Sequence, residues 1–335
     1  MSTTMDGAAG SRHTPTAIAR ILVATLFVSV LGFGYIAATP DPAFAAGLSD
    51  PGVLTFHDGS ITVTTDGTVF ENMEIKGTLR IEANNVTVRN TWIYGSEFWT
   101  VYVASGSARF ENVEIGHPSH LGSRGIGGNN ITAVSVDIHH VEDGIKLGSN
   151  SVYSGVRVHD LASPSSKPHT DAVQVEGRVS NAVVKNSVLS PLGSRGVGNA
   201  AVIIKSDFGP QSNITFANNY MNGGNYTIFV RDGGHGVPSD IRFTGNRFGP
   251  DRRYGLTSLD GSVTWENNTW ADTGELIDTS GNVIGGGTAT TTTAPPTTTT
   301  TAPPTTTTTA PATTTTTAPP TTTTTTAPAT TTTTS

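Results

Sequence analysis

Residues 214–221 read Ile-Thr-Phe-Ala-Asn-Asn-Tyr-Met, and residues 182–189 read Ala-Val-Val-Lys-Asn-Ser-Val-Leu. Both follow one pattern: apolar, any, apolar, any, Asn or small, any, any, apolar. It recurs nine times. The other copies start at Thr68, Val86, Ala108, Ile131, Ser154, Ile241 and Val263. Their fifth positions fall at 72, 90, 112, 135, 158, 186, 218, 245 and 267, at intervals of 18 to 32 residues. A period of this size marks a solenoid or an array.

Between copies lies a second alternating segment. Examples are TVYVA at 100–104, GIKLG at 144–148, AVQVE at 172–176, AVIIK at 201–205 and TIFVR at 227–231. Alternation over about five residues, bounded by Gly, Asn and Ser, reads as strands. No helical periodicity competes with it. Roughly 22 residues carrying three short strands make one coil of a parallel β-helix. The expected fold is all-β, a single right-handed parallel β-helix of about nine coils. Asn72, Asn90, Asn112, Asn186, Asn218 and Asn267 are expected to stack at one turn, with their amides hydrogen-bonded along the axis.

Both ends stand apart. Residues 1–46 read as an export signal: Arg12 and Arg20, an apolar stretch from 21 to 38, then Ala43-Phe44-Ala45 as a small-x-small cleavage site. Residues 285–335 open with three glycines. The last 48 residues hold 31 Thr, 8 Pro, 8 Ala and 1 Ser. Such a tract cannot bury a core and is expected to be a disordered spacer. The folded domain is then 47–284, in a monomeric, secreted protein, free or at the cell surface, without membrane insertion after cleavage.

Composition narrows the chemistry. Charged residues make up 13% of the 335, against about 25% in ordinary domains. The net charge is −7, which excludes a generally basic nucleic-acid binder. There is no cysteine, which excludes a disulfide scaffold, a thiolate zinc site and a thiol nucleophile.

The segments Asp171-Ala172-Val173-Gln174-Val175 and Ser180-Asn181-Ala182-Val183-Val184-Lys185-Asn186 resemble the strand–turn–strand repeat of the pectate-lyase-like superfamily of right-handed β-helix proteins. The resemblance implies a polysaccharide groove lined by the alternating strand and the loops leading into it. It does not choose a chemistry, since that superfamily holds lyases, hydrolases, epimerases and adhesins. The variable loops here are 116–124, 162–170, 191–198 and 249–253.

Strand register then nominates residues. Apolar pairs such as Val173/Val175 and Val202/Ile204 face inward. Tyr102, Lys146, Gln174, Ile203 and Phe229 face outward, followed by Glu176, Lys205 and Arg231. Two stacked cations repel, which suits Lys205 to abstract the proton α to a uronate carboxylate while Arg231 holds that carboxylate. The alternative is an exposed Glu176–Lys205 ion pair of little energetic weight.

A second group lies where strands begin. Asp143 and Asp171 each precede an inward apolar residue by two, so they should be vertical neighbours. With Glu142 they could bind Ca²⁺. They could serve as acid and base of an inverting glycosidase. With His139, His140 and His169 they could hold a transition metal. The polygalacturonase-type motif order is not reproduced: Glu142-Asp143 precedes His169-Thr170-Asp171, and no Arg-x-Lys follows Gly234-His235-Gly236. Tyr102, Phe229, Trp99 and Tyr226 are candidate stacking residues. Glu176, Lys146, His169, Arg252 and Arg253 are candidate sugar contacts. His57, His117, His120 and His159 read as loop or surface residues. Trp265 and Trp270 read as caps of the last coil.

Three functions stay open on these residues: a lyase cleaving a uronic-acid glycan, a glycoside hydrolase, and a non-catalytic binder of an extracellular polysaccharide. The net negative charge fits a neutral glycan, or an acidic one bridged by cations.

Overall fold

The computed structural model describes residues 46–95, 97–163, 169–193 and 196–285. The expected export signal, apart from residue 46, and the Thr/Pro tail beyond Gly285 lie outside the described residues, as do 164–168 and 194–195 within two of the variable loops.

The described chain is a right-handed parallel β-helix, and every strand-to-strand ladder in it is parallel. Three sheets run its length. The first takes Ile61–Val63, the starts of Leu79–Tyr94 and Trp99–Ile115, then Gly122–Gly128, Val141–Leu147, Asp171–Val175, Ala200–Lys205, Tyr226–Arg231 and Gly255–Leu259. One inward column reads Ile61, Leu79, Val101, Ile126, Ile145, Val173, Val202, Ile228, Thr257. That is nine coils. The eight-residue repeat supplies the second and third sheets, as in Ser212–Ala217 followed by Tyr220–Met221.

Gly122–Gly128 is a strand the alternation did not reveal. It carries only one bulky apolar residue, Ile126, among glycines, so a hydrophobicity pattern passes over it. Its register places Arg124 directly above Trp99 and below Asp143.

The turn asparagines behave differently from expectation. Asn72, Asn90, Asn112, Ser135, Asn186, Asn218 and Asn267 all have φ between 42° and 57°. This left-handed region favours Asn and Gly, which is why Gly245 (φ 66°) can replace them. The tight bend sends these side chains outward, except that of Asn90, which is buried. Only Asn90 reaches Asn72 along that column, at 2.7 Å. The hydrogen-bonded ladder sits one residue later. Asn219 Nδ2 donates to Asn246 Oδ1 (3.1 Å), and Asn246 Nδ2 donates to Asn268 Oδ1 (3.0 Å). All three are buried. A second, exposed ladder of Asn130, Asn150, Asn181 and Asn213 runs along the turn between the first and second sheets.

The core is Val, Ile, Leu and Ala, closed toward the C-terminus by stacked aromatics: Phe216 on Phe243, and Phe248 on Trp265. Trp265 and Trp270 cap the last coil by donating to the carbonyls of Ile277 and Gly281.

Asn246→Ala should cost on the order of 3 kcal/mol, since in the interior it removes the acceptor of the Asn219 backbone N–H and of one Asn219 Nδ2 hydrogen, and the side-chain donor to the Phe216 carbonyl. Asn218→Gly, at an exposed left-handed position, should be close to neutral. Urea midpoints with unchanged slope would check both.

Candidate active site

The loops that join the third sheet to the first bulge outward on coils six to nine. They enclose a cleft of about 160 Å³ lined by His169, Thr170, Pro191, Gly198, Asn199, Asn225 and Arg253, among others. His169 is mostly exposed, while Asp171, two residues on, is fully buried.

Asp171 and Asp143 are direct register partners, as their spacing required. Lys146 Nζ lies 2.9 Å from Asp143 Oδ2 and 3.2 Å from Glu176 Oε1. Asn199 Nδ2 donates to Asp171 Oδ1 at 2.7 Å. The other Asp171 oxygen has no aligned hydrogen bond but lies 3.3 Å from His169 Nδ1. Glu142 Oε1 accepts the backbone N–H of His169 and so fixes the loop.

The electrostatics follow from burial. Desolvation pushes Asp143 up to about 6, with Asp171 adding to the rise and Lys146 opposing it. Desolvation also raises Asp171, against the pull of His169 and Asn199. Contact with the Asp171 carboxylate raises His169, which favours its protonated form. The arrangement is an imidazole at a cleft rim, oriented and made more basic by a buried carboxylate. Such a group can accept a proton from a bound molecule.

The Ca²⁺ set does not fit. The Lys146 ammonium already fills the cation position beside Asp143, and the remaining oxygens face Asn199, His169 and the Asp171 amide. Among the described residues no group of three or more His, Cys, Asp or Glu is placed to hold a metal ion. His139 instead pairs with Glu114, and His159 bridges Asp137 and Asp160. Nor do Asp143 and Asp171 flank an open space: they stack about 4.8 Å apart, and Asp171 is sealed from solvent.

Lys205 and Arg231 are stacked as the register demanded. They are not the unpaired cations the argument needed. Lys205 lies 2.7 Å from Asp207, and Arg231 pairs with Asp260 and donates to Ser258. Glu176 pairs with Lys146, not with Lys205. The reason is local: Lys205 meets Asp207 of the turn that follows its own strand, and Arg231 meets Asp260 at the end of the next coil's strand. Lys146 is buried beneath the two carboxylates that hold it. Tyr102 and Phe229 face outward, half-buried, each against a second aromatic, Trp99 and Tyr226. Arg252 lies over Trp270, away from the cleft. Arg253 is exposed on the cleft wall, and its guanidinium has no protein acceptor among the described residues.

Asn199 and Asn225 were not singled out from the sequence. Asn225 Nδ2 donates to Asn199 Oδ1 at 3.3 Å, and its own side-chain amide oxygen is buried with no partner among the described residues. Asn199 precedes its strand at the place equivalent to Thr170, a positional signal that only the register makes legible.

The raised Asp143 has a pH consequence. Its folded value of about 6 exceeds the ordinary 3.8, so the folded state binds the proton more tightly. That contribution is complete below about pH 4 and is lost as pH rises to about 6. Asp143→Asn should remove up to about 3 kcal/mol of this slope. Denaturant titrations of both proteins between those limits would check it; parallel curves would contradict the burial argument.

No protein-family model matches the chain, and no curated protein matches it. Among solved structures, the chain is similar to an alginate lyase from Paenibacillus sp. str. FPU-7, with a TM-score of 0.47 and 13% identity, over 66% of this chain and 89% of that one.

Proposed function

We propose that the chain is an exported polysaccharide lyase acting on a uronic-acid glycan, with His169 as the base. The observation that carries this reading is the cleft itself, which holds an imidazole backed by buried Asp171 together with Arg253, whose guanidinium lies over Tyr254 and has no acceptor among the described residues. β-Elimination needs these two groups. A base removes the proton α to the sugar carboxylate, and a cation steadies the charge that builds on that carboxylate. The electron pair left at carbon 5 forms the C4=C5 double bond. The C4–O glycosidic bond breaks, and its oxygen takes a proton from water. Asp171 touches no substrate; it is a positioning residue that orients His169 through Nδ1. Lys205 and Arg231, each with its own carboxylate, stand outside this scheme.

The test is an ultraviolet absorbance assay on polygalacturonate, polymannuronate and polyguluronate, with reducing ends measured in the same tubes. Rising absorbance is expected from the new double bond. His169→Ala should cost roughly 10²- to 10⁴-fold in kcat. Lys205→Ala should stay near wild type. New reducing ends without absorbance would mean hydrolysis; neither signal would leave a binding protein. Both would overturn the lyase.

The active form of His169 is the neutral one, and Asp171 raises the pH at which it appears. kcat/KM should therefore climb with pH through a limb above the ordinary histidine range. Asp171→Asn should move that limb to lower pH as well as slowing turnover. A limb that stays in place would argue against the Asp171–His169 contact.

A further inference from the structure

Four tryptophans occur in the chain. Three give their indole N–H to a backbone carbonyl: Trp92 to Gly116, Trp265 to Ile277 and Trp270 to Gly281. Trp99 has no such acceptor among the described residues. Its ring stacks on Tyr102, with centroids 4.6 Å apart and planes 14° apart. The ring occupies the space that Gly127, the register neighbour of Tyr102, leaves open. A Cβ there would come within 2.5 Å of the Trp99 ring. Phe98 stands at its edge, at 89°, with 58% of its surface exposed.

A cation completes the group. The Arg124 guanidinium sits 4.1 Å from the Phe98 ring centroid and 5.1 Å from that of Trp99. It has no carboxylate partner among the described residues, although Glu97 is in the adjoining loop. Six arginines do have one: Arg80, Arg89, Arg109, Arg157, Arg231 and Arg242. Arg124 thus shares with Arg253 of the cleft the lack of a protein acceptor for its guanidinium among the described residues.

We infer that Phe98, Trp99, Tyr102 and Arg124 form a distal subsite for an acidic sugar. The apolar face of the pyranose packs on the exposed Phe98 ring and along the outer edge of the Trp99–Tyr102 stack, whose ring faces are taken by each other, by Arg80 and by Arg124; its carboxylate meets Arg124, and a hydroxyl accepts the indole N–H. Aromatic faces and guanidinium groups are the usual partners of such a ligand. The position supports the assignment. Trp99, Arg124, Asp143 and Asp171 occupy successive rungs of one register column. Three rungs separate Trp99 from Asp171, about 14 Å. A glycan lying along the solenoid axis can occupy the platform and the cleft together. The inference rests on the proposed polyuronate substrate and adds a second, separate point of grip.

The experiment is calorimetric titration of the full chain with a hexamer of 1,4-linked uronic acid and with its carboxyl-reduced, neutral counterpart. Trp99→Ala and Arg124→Gln would be compared with wild type, with Arg124→Lys as the charge-keeping control. Circular dichroism would confirm that all are folded. Wild type should bind the acidic hexamer at least tenfold more tightly than the neutral one. Arg124→Gln should reduce that preference severalfold, leaving the share that Arg253 supplies, Arg124→Lys should retain more of it, and Trp99→Ala should weaken both ligands about tenfold. Unchanged hexamer affinity in both variants overturns the platform. Equal affinity for the two hexamers overturns its acidic specificity, and no binding by wild type overturns the inference outright. The absorbance assay decides the lyase separately: platform variants that lose binding in a chain with no turnover would leave the subsite standing and remove the catalysis.

Discussion

In a parallel β-helix, each residue lies about 4.8 Å from its counterpart on the next coil, and the chain cannot escape that pairing. Everything else in this structure answers to it. Apolar positions repeat because an inward residue must meet another. Buried amides repeat for the same reason: Asn246 satisfies Asn219 and is satisfied by Asn268, so three polar side chains share the interior without an orphaned group. A stacked column of one residue type thus stabilises the fold wherever that type can bond to itself.

Carboxylates cannot do so, and the candidate site sits where the rule is broken. Asp143 stacks on Asp171 inside a column that elsewhere carries Trp99, Arg124 and Ala200. The chain absorbs the two acids with Lys146, Asn199 and His169, and the remaining tension appears as raised proton affinities. Perturbed groups beside a cleft are a recurrent sign of chemistry. A column that only stabilised the solenoid would not need them. The cations of the outer face show the contrast. Lys205 and Arg231 stack as well, but at the solvent boundary each takes an aspartate of its own turn or the next.

Much of this is legible in the sequence. The octapeptide pattern gave the coil count, because alternation and turn spacing are local and period-bound. The Asp143–Asp171 contact was readable for the same reason, each lying two residues before an inward apolar side chain. What was misread involved geometry within a turn or across one. The asparagine ladder was placed one residue early because a left-handed turn residue points its side chain outward, a fact carried by φ and not by composition. Gly122–Gly128 escaped notice because its strand pairing rests on backbone hydrogen bonds with few apolar side chains to announce it. Lys146 looked available from its outward position, yet the neighbouring coil's Glu176 reaches back to cover it.

The sequence by itself determined the solenoid, since a period near 22 residues with three strands per coil admits few other ways to bury its apolar faces. It also determined which residues share a column. Only the tertiary structure decided which of those columns could act. Loops distant in sequence fold over the same edge and bring His169, Asn199, Asn225 and Arg253 around one cleft. Burial there, set by those loops, separates the shifted Asp143 and Asp171 from the many carboxylates left in solvent. The strength of a charge depends on the water it has lost, and no local pattern of residues records that.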